Sequence, residues 1–378
     1  MIYLDNAATT VRKPPAVIQA VTQALTGMGN SGRGAYETSL SASRIIFQTR
    51  QAVQATFDVP SPERVIFTSG ATQALNTAIF GVLQPGDHVI ASDLDHNSVL
   101  RPLYHLQRQG IIHMDFLPAD PMGCIRVEDL QRALRPNTRL VCLCHGSNLT
   151  GNVTDPGPFA ELTHRAGALF LLDASQTAGI LPVSMARMGV DLLCFSGHKG
   201  LMGPQGIGCL CLSLRAEVAP MLYGGTGVQT ELPDQPSEYP TRLEAGTLNG
   251  PGIAGLKAAL DTLSQTGIDR VARHETELSL RFVRGVEQIQ GVRLYGDFSG
   301  LRTGTVCLNI RDYASTEVAD ELAVTDQIAV RAGAHCVPRL HCALGTREQG
   351  AVRFSFGWYN TDADVDAAID AVRRIAAC

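Results

Sequence analysis

Short apolar runs alternate with helix-sized gaps through the middle of this chain, and that rhythm constrains its fold more than any other feature. Arg64–Thr68 is strand-like, and Ala71–Leu83 continues as a helix. Further strand signals lie at 88–91, 112–116, 138–143, 168–173, 191–195 and 206–213. The alternation predicts an α/β fold with a mainly parallel seven-stranded sheet covered on both faces. Upstream, 38–57 reads as a helix, with Ala42, Ile46, Val53 and Phe57 at helical spacing. The stretch 223–250 breaks the rhythm; rich in Gly, Pro and polar residues, it reads as a long functional loop. Beyond it, 251–264 and 268–290 read as helices, and 304–310, 327–331 and 351–355 as strands. A last helix shows Val365, Ile369, Val372 and Ala376 on one face. These elements predict a second, smaller α+β domain at about 250–378.

Composition narrows the function. With 31 basic residues against 36 acidic and a net charge of −5, a broad nucleic-acid-binding surface is not expected. No apolar run approaches the roughly 20 residues needed to span a bilayer. Ala168–Leu172, the most hydrophobic stretch, is only strand-sized. The N-terminus MIYLDNAATT lacks a basic region followed by an apolar core, so a cytoplasmic protein without membrane attachment is expected. The ten cysteines then read as thiols. Cys142 with Cys144, and Cys209 with Cys211, sit two apart in strand-like runs, so each pair points to one face.

Candidate chemistry gathers at strand ends. Gly27-Met28-Gly29-Asn30-Ser31-Gly32 matches a dinucleotide fingerprint, but it follows the helix-like Ala16–Leu25 rather than a strand, which favours a plain turn. Ser69-Gly70-Ala71-Thr72-Gln73 follows a strand and opens a helix, where backbone N–H groups form an anion site or simply a cap. Asp173 ends the apolar LFLLD run, and Gln176 follows three residues on. A carboxylate there is costly unless something positive meets it, which favours a ligand-facing role over the alternative of a buried helix cap. Ser196-Gly197-His198-Lys199-Gly200 ends the next strand, and Lys199 by itself reads first as a solvated loop lysine. In combination, a phosphate cup, a strand-end Asp and a strand-end Lys describe a site for pyridoxal phosphate. Lysine there forms a Schiff base, and the Asp pairs with the pyridinium nitrogen. Arg331-Ala332-Gly333-Ala334-His335-Cys336 places a cysteine beside basic groups that favour thiolate. His341-Cys342 repeats the His-Cys pair, but the spacing fits no common zinc module and no metal site is expected.

Together these residues resemble the class V, fold type I pyridoxal-phosphate enzymes, and within them the cysteine desulfurase and selenocysteine lyase family, Suf-type branch. The resemblance runs from YLDNAATT at 3–10 to Arg353-Phe354-Ser355, with SGHK at 196–199 and RAGAHC at 331–336 the most specific motifs. It implies a large cofactor-binding domain at 15–250 and a small domain formed by 1–14 and 251–378. It implies that Lys199 links to the cofactor, Asp173 binds the pyridine nitrogen and Gln176 the ring hydroxyl. It implies that His96, in DLDHNSV, stacks on the ring, and that Ala71, Thr72, Ser196 and His198 hold the phosphate. Thr247 would reach the phosphate of a neighbouring subunit, making a homodimer. Asn148 and Arg353 would bind the substrate carboxylate, and Cys336 would be the persulfide-forming nucleophile.

The implied reaction turns L-cysteine, or a close analogue, into L-alanine, with the sulfur passed through Cys336 to an acceptor protein or thiol. The sequence departs from the family at the phosphate cup, Gly-Ala-Thr where many relatives have two successive Thr, and at Leu94, where an acidic residue is common. Selenocysteine cleavage, β-elimination from cysteine or cystine, another class V reaction and a non-catalytic sulfur or metal carrier stay open as alternatives.

Overall fold

The structure, a computed structural model, describes residues 1–31 and 36–377. Its strands are β1 (Ile2–Tyr3), β2 (Val65–Thr68), β3 (His88–Ser92), β4 (His113–Leu117), β5 (Thr138–Cys144), β6 (Leu169–Asp173), β7 (Leu192–Ser196), β8 (Gly208–Leu212), β9 (Val292–Tyr295), β10 (Thr305–Ile310), β11 (Ile328–Ala329), β12 (Arg331–Gly333) and β13 (Ala351–Ser355). Seven of them form one sheet in the order β2-β8-β7-β6-β5-β3-β4. Only β8 runs against its neighbours. The α/β class and the mainly parallel seven-stranded sheet expected from the sequence are therefore what the chain forms.

The strand sequences explain this arrangement. β6, β7 and β8 are almost wholly apolar and buried from end to end; β3 is buried throughout, and β5 is buried except at Arg139. Such strands are stable only when helices cover both faces. Successive side chains alternate between two cores. Phe170, Leu172, Leu193, Phe195, Cys209 and Cys211 enter one core, whereas Leu169, Leu171, Leu192, Cys194, Leu210 and Leu212 enter the other. Cys209 and Cys211 thus share a face, as their spacing requires. All nine described cysteines are free thiols.

A second unit stands on the antiparallel sheet β12-β13-β10-β9. Its core takes Phe282 from the helix Ile268–Val286, Val306 and Leu308 from β10, Phe354 from β13, and Ile369 and Val372 from the helix Asp362–Ala377. The start of the chain joins it: β1 pairs with β11 in parallel, Leu4 enters the core, and Asp5 bridges Ser355. The helix Gly250–Thr266 lies C-terminal to residue 250 yet buries Ile253, Leu256, Leu260 and Leu263 in the core of the large sheet.

Three local features differ from the sequence expectation. The single strand expected at 327–331 is two short strands belonging to different sheets. The helix expected to 290 stops at Val286, because the chain must turn into β9. Short helices at Ser315–Thr325 and Pro338–Leu344 have too few apolar positions to show a clear period. The glycine fingerprint at 27–32 follows the helix Pro15–Gly27, as its context suggested, and its last residue, Gly32, lies outside the described residues. No helix among the described residues is long and apolar enough to cross a membrane.

Candidate active site

Strands β2, β3, β5, β6 and β7 end on one side of the sheet, and their C-terminal turns enclose a pocket with about 560 Å³ of atom-free space. Ligands gather at this edge in parallel sheets. Lining it are nine of the residues singled out in the sequence: Ala71, Thr72, His96, Asn148, Asp173, Gln176, Ser196, His198 and Lys199.

Lys199 follows β7 through the turn Gly197-His198. Its amine makes no hydrogen bond among the described residues, and burial pulls it down to about 8, against the opposing pull of Asp173. The chain has only three lysines. Lys257 is paired with Asp261 at 2.7 Å, and Lys13 donates to Thr10 Oγ1 and to the His198 carbonyl. Lys199 is therefore the one described lysine poised as a free nucleophile in a pocket. The N-terminal leader locks its turn, with Thr10 Oγ1 donating to the carbonyls of His198 and Lys199 at 3.0 and 3.1 Å.

Asp173 ends β6 facing the pocket. One oxygen accepts from Ser175 N–H at 2.9 Å and from Ser175 Oγ at 2.5 Å; the other takes no hydrogen bond among the described residues. A buried carboxylate with one oxygen open is suited to a cationic ring N–H. His96 caps the helix Asn97–Arg108, its Nδ1 accepting from Ser98 N–H at 3.1 Å. That assigns the ring proton to Nε2. Burial lowers the imidazole's pKa, with Asp173 opposing and Lys199 reinforcing, so His96 is neutral near pH 7. His198 is pulled further, to about 4, by burial and then by Lys199 and Lys13.

The anion cup is the start of the helix Ala71–Val82, whose first N–H groups have no intrahelical acceptor. Gly70 precedes it at φ +151°, and Gly208 lies against it: a Cβ on Gly208 would stand 2.7 Å from the Gly70 Cα. Ser196 Oγ accepts from Ala71 N–H at 2.9 Å, joining the ends of β2 and β7. Thr72 Oγ1 lies 2.8 Å from Ser98 Oγ. Pyridoxal phosphate fits these residues: an unbonded lysine, a carboxylate with one open oxygen, a neutral histidine and a helix start for the phosphate. The chain is recognised by the class-V aminotransferase model over residues 2–368.

The chain belongs to the class-V aminotransferase family. It is 33% identical to a probable cysteine desulfurase of Methanothermobacter thermautotrophicus, over 99% of this chain and 94% of that one. It is also 33% identical to a probable cysteine desulfurase of Halalkalibacterium halodurans, over 97% and 91%. Its fold matches an apo cysteine desulfurase of Thermococcus onnurineus with a TM-score of 0.93, at 29% identity over 100% of this chain and 94% of the other. The Escherichia coli cysteine desulfurase CsdA matches at 0.89 and 30% identity, over 98% and 94%.

Within this class-V site, four sequence-assigned residues take distinct places. Gln176 lines the pocket while its Nε2 donates to the Ala7 carbonyl at 3.0 Å. Asn148 donates from Nδ2 to the His335 carbonyl at 2.7 Å. Arg353, on β13, is 1% exposed, bonded to Asp5 and to the Asn148 carbonyl. Thr247 lines a separate cleft with Asn30, Ser31, Gly225 and Thr226, away from this chain's pocket.

Cys336 lines the adjoining cleft, which shares Thr72, His96 and Ser98 with the pocket. It and His335 are both left-handed, at φ 60° and 49°, an uncommon pair for residues with side chains. Asn97 N–H donates to the Cys336 carbonyl at 2.9 Å. His335 is not the cation its sequence position suggested. Burial holds its imidazole at about 3, so it adds no positive charge beside Cys336 at neutral pH. His341 stacks on His335 with centroids 5.9 Å apart, and Cys342 is exposed on the next helix. Among the described residues, no group of three or more His, Cys, Asp or Glu is placed to hold a metal ion.

Sequence reasoning missed Ser98, Ser175 and Cys144 as pocket residues. The two serines each follow a recognised residue by two positions, the spacing of a side chain that bonds back to its neighbour. Cys144, read only as a strand thiol, reaches the pocket because β5 ends there.

Proposed function

We propose that the protein is a pyridoxal-phosphate-dependent cysteine desulfurase, converting L-cysteine to L-alanine with sulfur transferred to Cys336 as a persulfide. The observation that carries this reading is the unbonded, pKa-lowered Lys199 amine beside the half-open Asp173 carboxylate, with Cys336 in the cleft next door. When bound, pyridoxal phosphate supplies an electron sink for charge released at the substrate α-carbon. Lys199 holds the cofactor at rest and carries the α-proton during turnover. Asp173 would use its open oxygen to hold the ring nitrogen. His96 would stack on the cofactor ring and present Nε2–H for proton transfer. Gln176 meets the ring hydroxyl, and Ala71, Thr72, Ser196 and His198 hold the phosphate. Asn148 and Arg353 orient the substrate carboxylate.

The Cys336 thiolate then attacks the substrate sulfur. An S–S bond forms as the carbon–sulfur bond breaks, the electron pair stays with the substrate carbon, and protonation there completes alanine. A thiol or acceptor protein clears the persulfide. We propose a cytoplasmic homodimer in which Thr247 reaches the neighbouring subunit's phosphate; its separation from this chain's own pocket supports that role. The lobes are 15–250 and 1–14 with 251–378, the helix Gly250–Thr266 packing across that division. Incubating cofactor-loaded protein with L-cysteine, and quantifying alanine, pyruvate and sulfide together, tests the reaction. Alanine in step with transferred sulfur is expected; pyruvate with ammonia would make the enzyme a β-eliminating lyase.

A further inference from the structure

Arg353 is among the most deeply buried charges in the molecule, and its three nitrogens are in unequal situations. Nη1 donates to the Asn148 carbonyl at 2.9 Å. Nη2 donates to Asp5 Oδ1 at 2.5 Å. Nε is buried with no hydrogen-bond partner among the described residues. Guanidinium N–H groups stripped of water and left unpaired are costly, so the buried cation is only partly compensated by these two acceptors. Asn148, whose carbonyl takes Nη1, lines the pocket, so the guanidinium stands one residue behind it, and its field reaches Lys199.

Asp5 comes from the other end of the sequence. It belongs to the N-terminal leader, whose backbone bridges Ser355, two residues beyond Arg353. Its side chain is 21% exposed, against 1% for Arg353. The pair is thus one buried cation held by an anion at the rim. Resting on the reading of Arg353 as the substrate-carboxylate residue, we propose that Asp5 is a resident counter-anion of the carboxylate subsite. The substrate shares Arg353 with Asp5 rather than binding a bare cation.

The sign of the effect follows from charge. With substrate bound, two carboxylates contact one guanidinium and repel each other. Without substrate, Asp5 keeps the buried cation neutralised, so the empty site is less eager for an anion. Both terms weaken carboxylate binding and speed release of alanine, the carboxylate-bearing product. Asp5→Asn removes the charge and keeps an oxygen to accept from Nη2, so Arg353 stays in place. Asp5 is therefore a specificity-setting and positioning residue; it touches Arg353 and not the reacting atoms.

The test compares L-alanine with ethylamine, the same amine without the carboxylate, on cofactor-loaded protein. Dissociation constants are read by absorbance titration, and the rise in melting temperature on adding L-alanine is an independent readout. Asp5→Asn is expected to bind L-alanine about tenfold more tightly, as loss of one nearby like charge implies, with ethylamine unchanged. Asp5→Ser, smaller and also uncharged, is measured alongside in case the Asn variant folds poorly, and the same direction is expected. L-Alanine binding that is unchanged or weaker, or equal tightening for both ligands, overturns the proposal. Arg353→Gln separates the two levels of the argument. If it weakens L-alanine while the Asp5 variants fail to tighten it, only the Asp5 proposal falls. If Arg353→Gln leaves L-alanine binding unaltered, the carboxylate role of Arg353 and the proposal fall together.

Discussion

Lys199 and Cys336 face adjoining clefts but are held by different kinds of structure. Lys199 stands in a turn at the end of a wholly buried strand, in a sheet packed on both faces. Its neighbours Asp173, Ser196 and Ala71 come from the same sheet edge, joined by short hydrogen bonds between side chain and backbone. Cys336 follows β12, a three-residue strand at the margin of the smaller sheet, and sits in a left-handed turn. Two donors from the large lobe hold that turn: Asn97 N–H on the Cys336 carbonyl and Asn148 Nδ2 on the His335 carbonyl. One region is rigid because of where the strands end. The other is placed by contacts with main-chain carbonyls. Electron withdrawal needs a fixed cofactor, whereas sulfur transfer needs a nucleophile that approaches and then presents its cargo elsewhere.

The largest effect that sharpens this contrast is Lys199→Ala. Turnover should fall by about 10³-fold or more, and borohydride should fix no cofactor to the protein. Peptide mapping after reduction decides it, since Lys13 and Lys257 are the only other candidates. A reduced adduct on Lys13 would move the covalent link out of the sheet-end turn. Next comes the pH dependence of loading. Forming the link requires the neutral amine, and burial brings Lys199 to about 8 rather than the ordinary 10.5. Reconstitution of apo-protein should therefore be half-maximal near pH 8 and fall about tenfold per unit below it. A midpoint near the ordinary lysine value would contradict the burial argument.

Asn148→Ala probes the tether. Losing the bond to His335 should slow sulfur transfer by about five- to tenfold, the size expected for one buried hydrogen bond. Because Asn148 also lines the pocket, the discriminating readout is alkylation of Cys336 by iodoacetamide, which should change while cofactor loading does not. Cys342→Ser should have the smallest effect, under about twofold in alanine release, because its exposed thiol stands on the helix beyond the turn.

Much of the pocket was legible because it obeys local rules. An apolar run marks a buried strand, and the polar residues directly after it face the ligand edge, so Asp173, Ser196, His198 and Lys199 could be read in order. The start of the helix Ala71–Val82 at the pocket was legible for the same reason, as a Ser-Gly turn between a strand and a helix. The placement of Cys336 was not legible from local pattern. Its tethers run from Asn148, 187 residues from His335, and from a backbone N–H that leaves no sequence signature. The Asp5–Arg353 pair, 348 residues apart, was hidden in the same way. The charge state of His335 was misjudged because burial, not neighbouring residues, sets it.

The separation of a fixed pocket from a tethered nucleophile is tested most directly by Cys336→Ser. The variant, loaded with cofactor, is mixed with L-cysteine while its absorbance, alanine release and intact mass are followed. Cofactor content and the spectral change on cysteine binding should match the wild type. Alanine release should fall by about 10²-fold or more, and the added mass of one sulfur atom, present on wild-type Cys336, should be absent. Normal turnover with the sulfur adduct on Cys342 would contradict the assignment of the nucleophile, and loss of cofactor or of cysteine binding would contradict the separation itself.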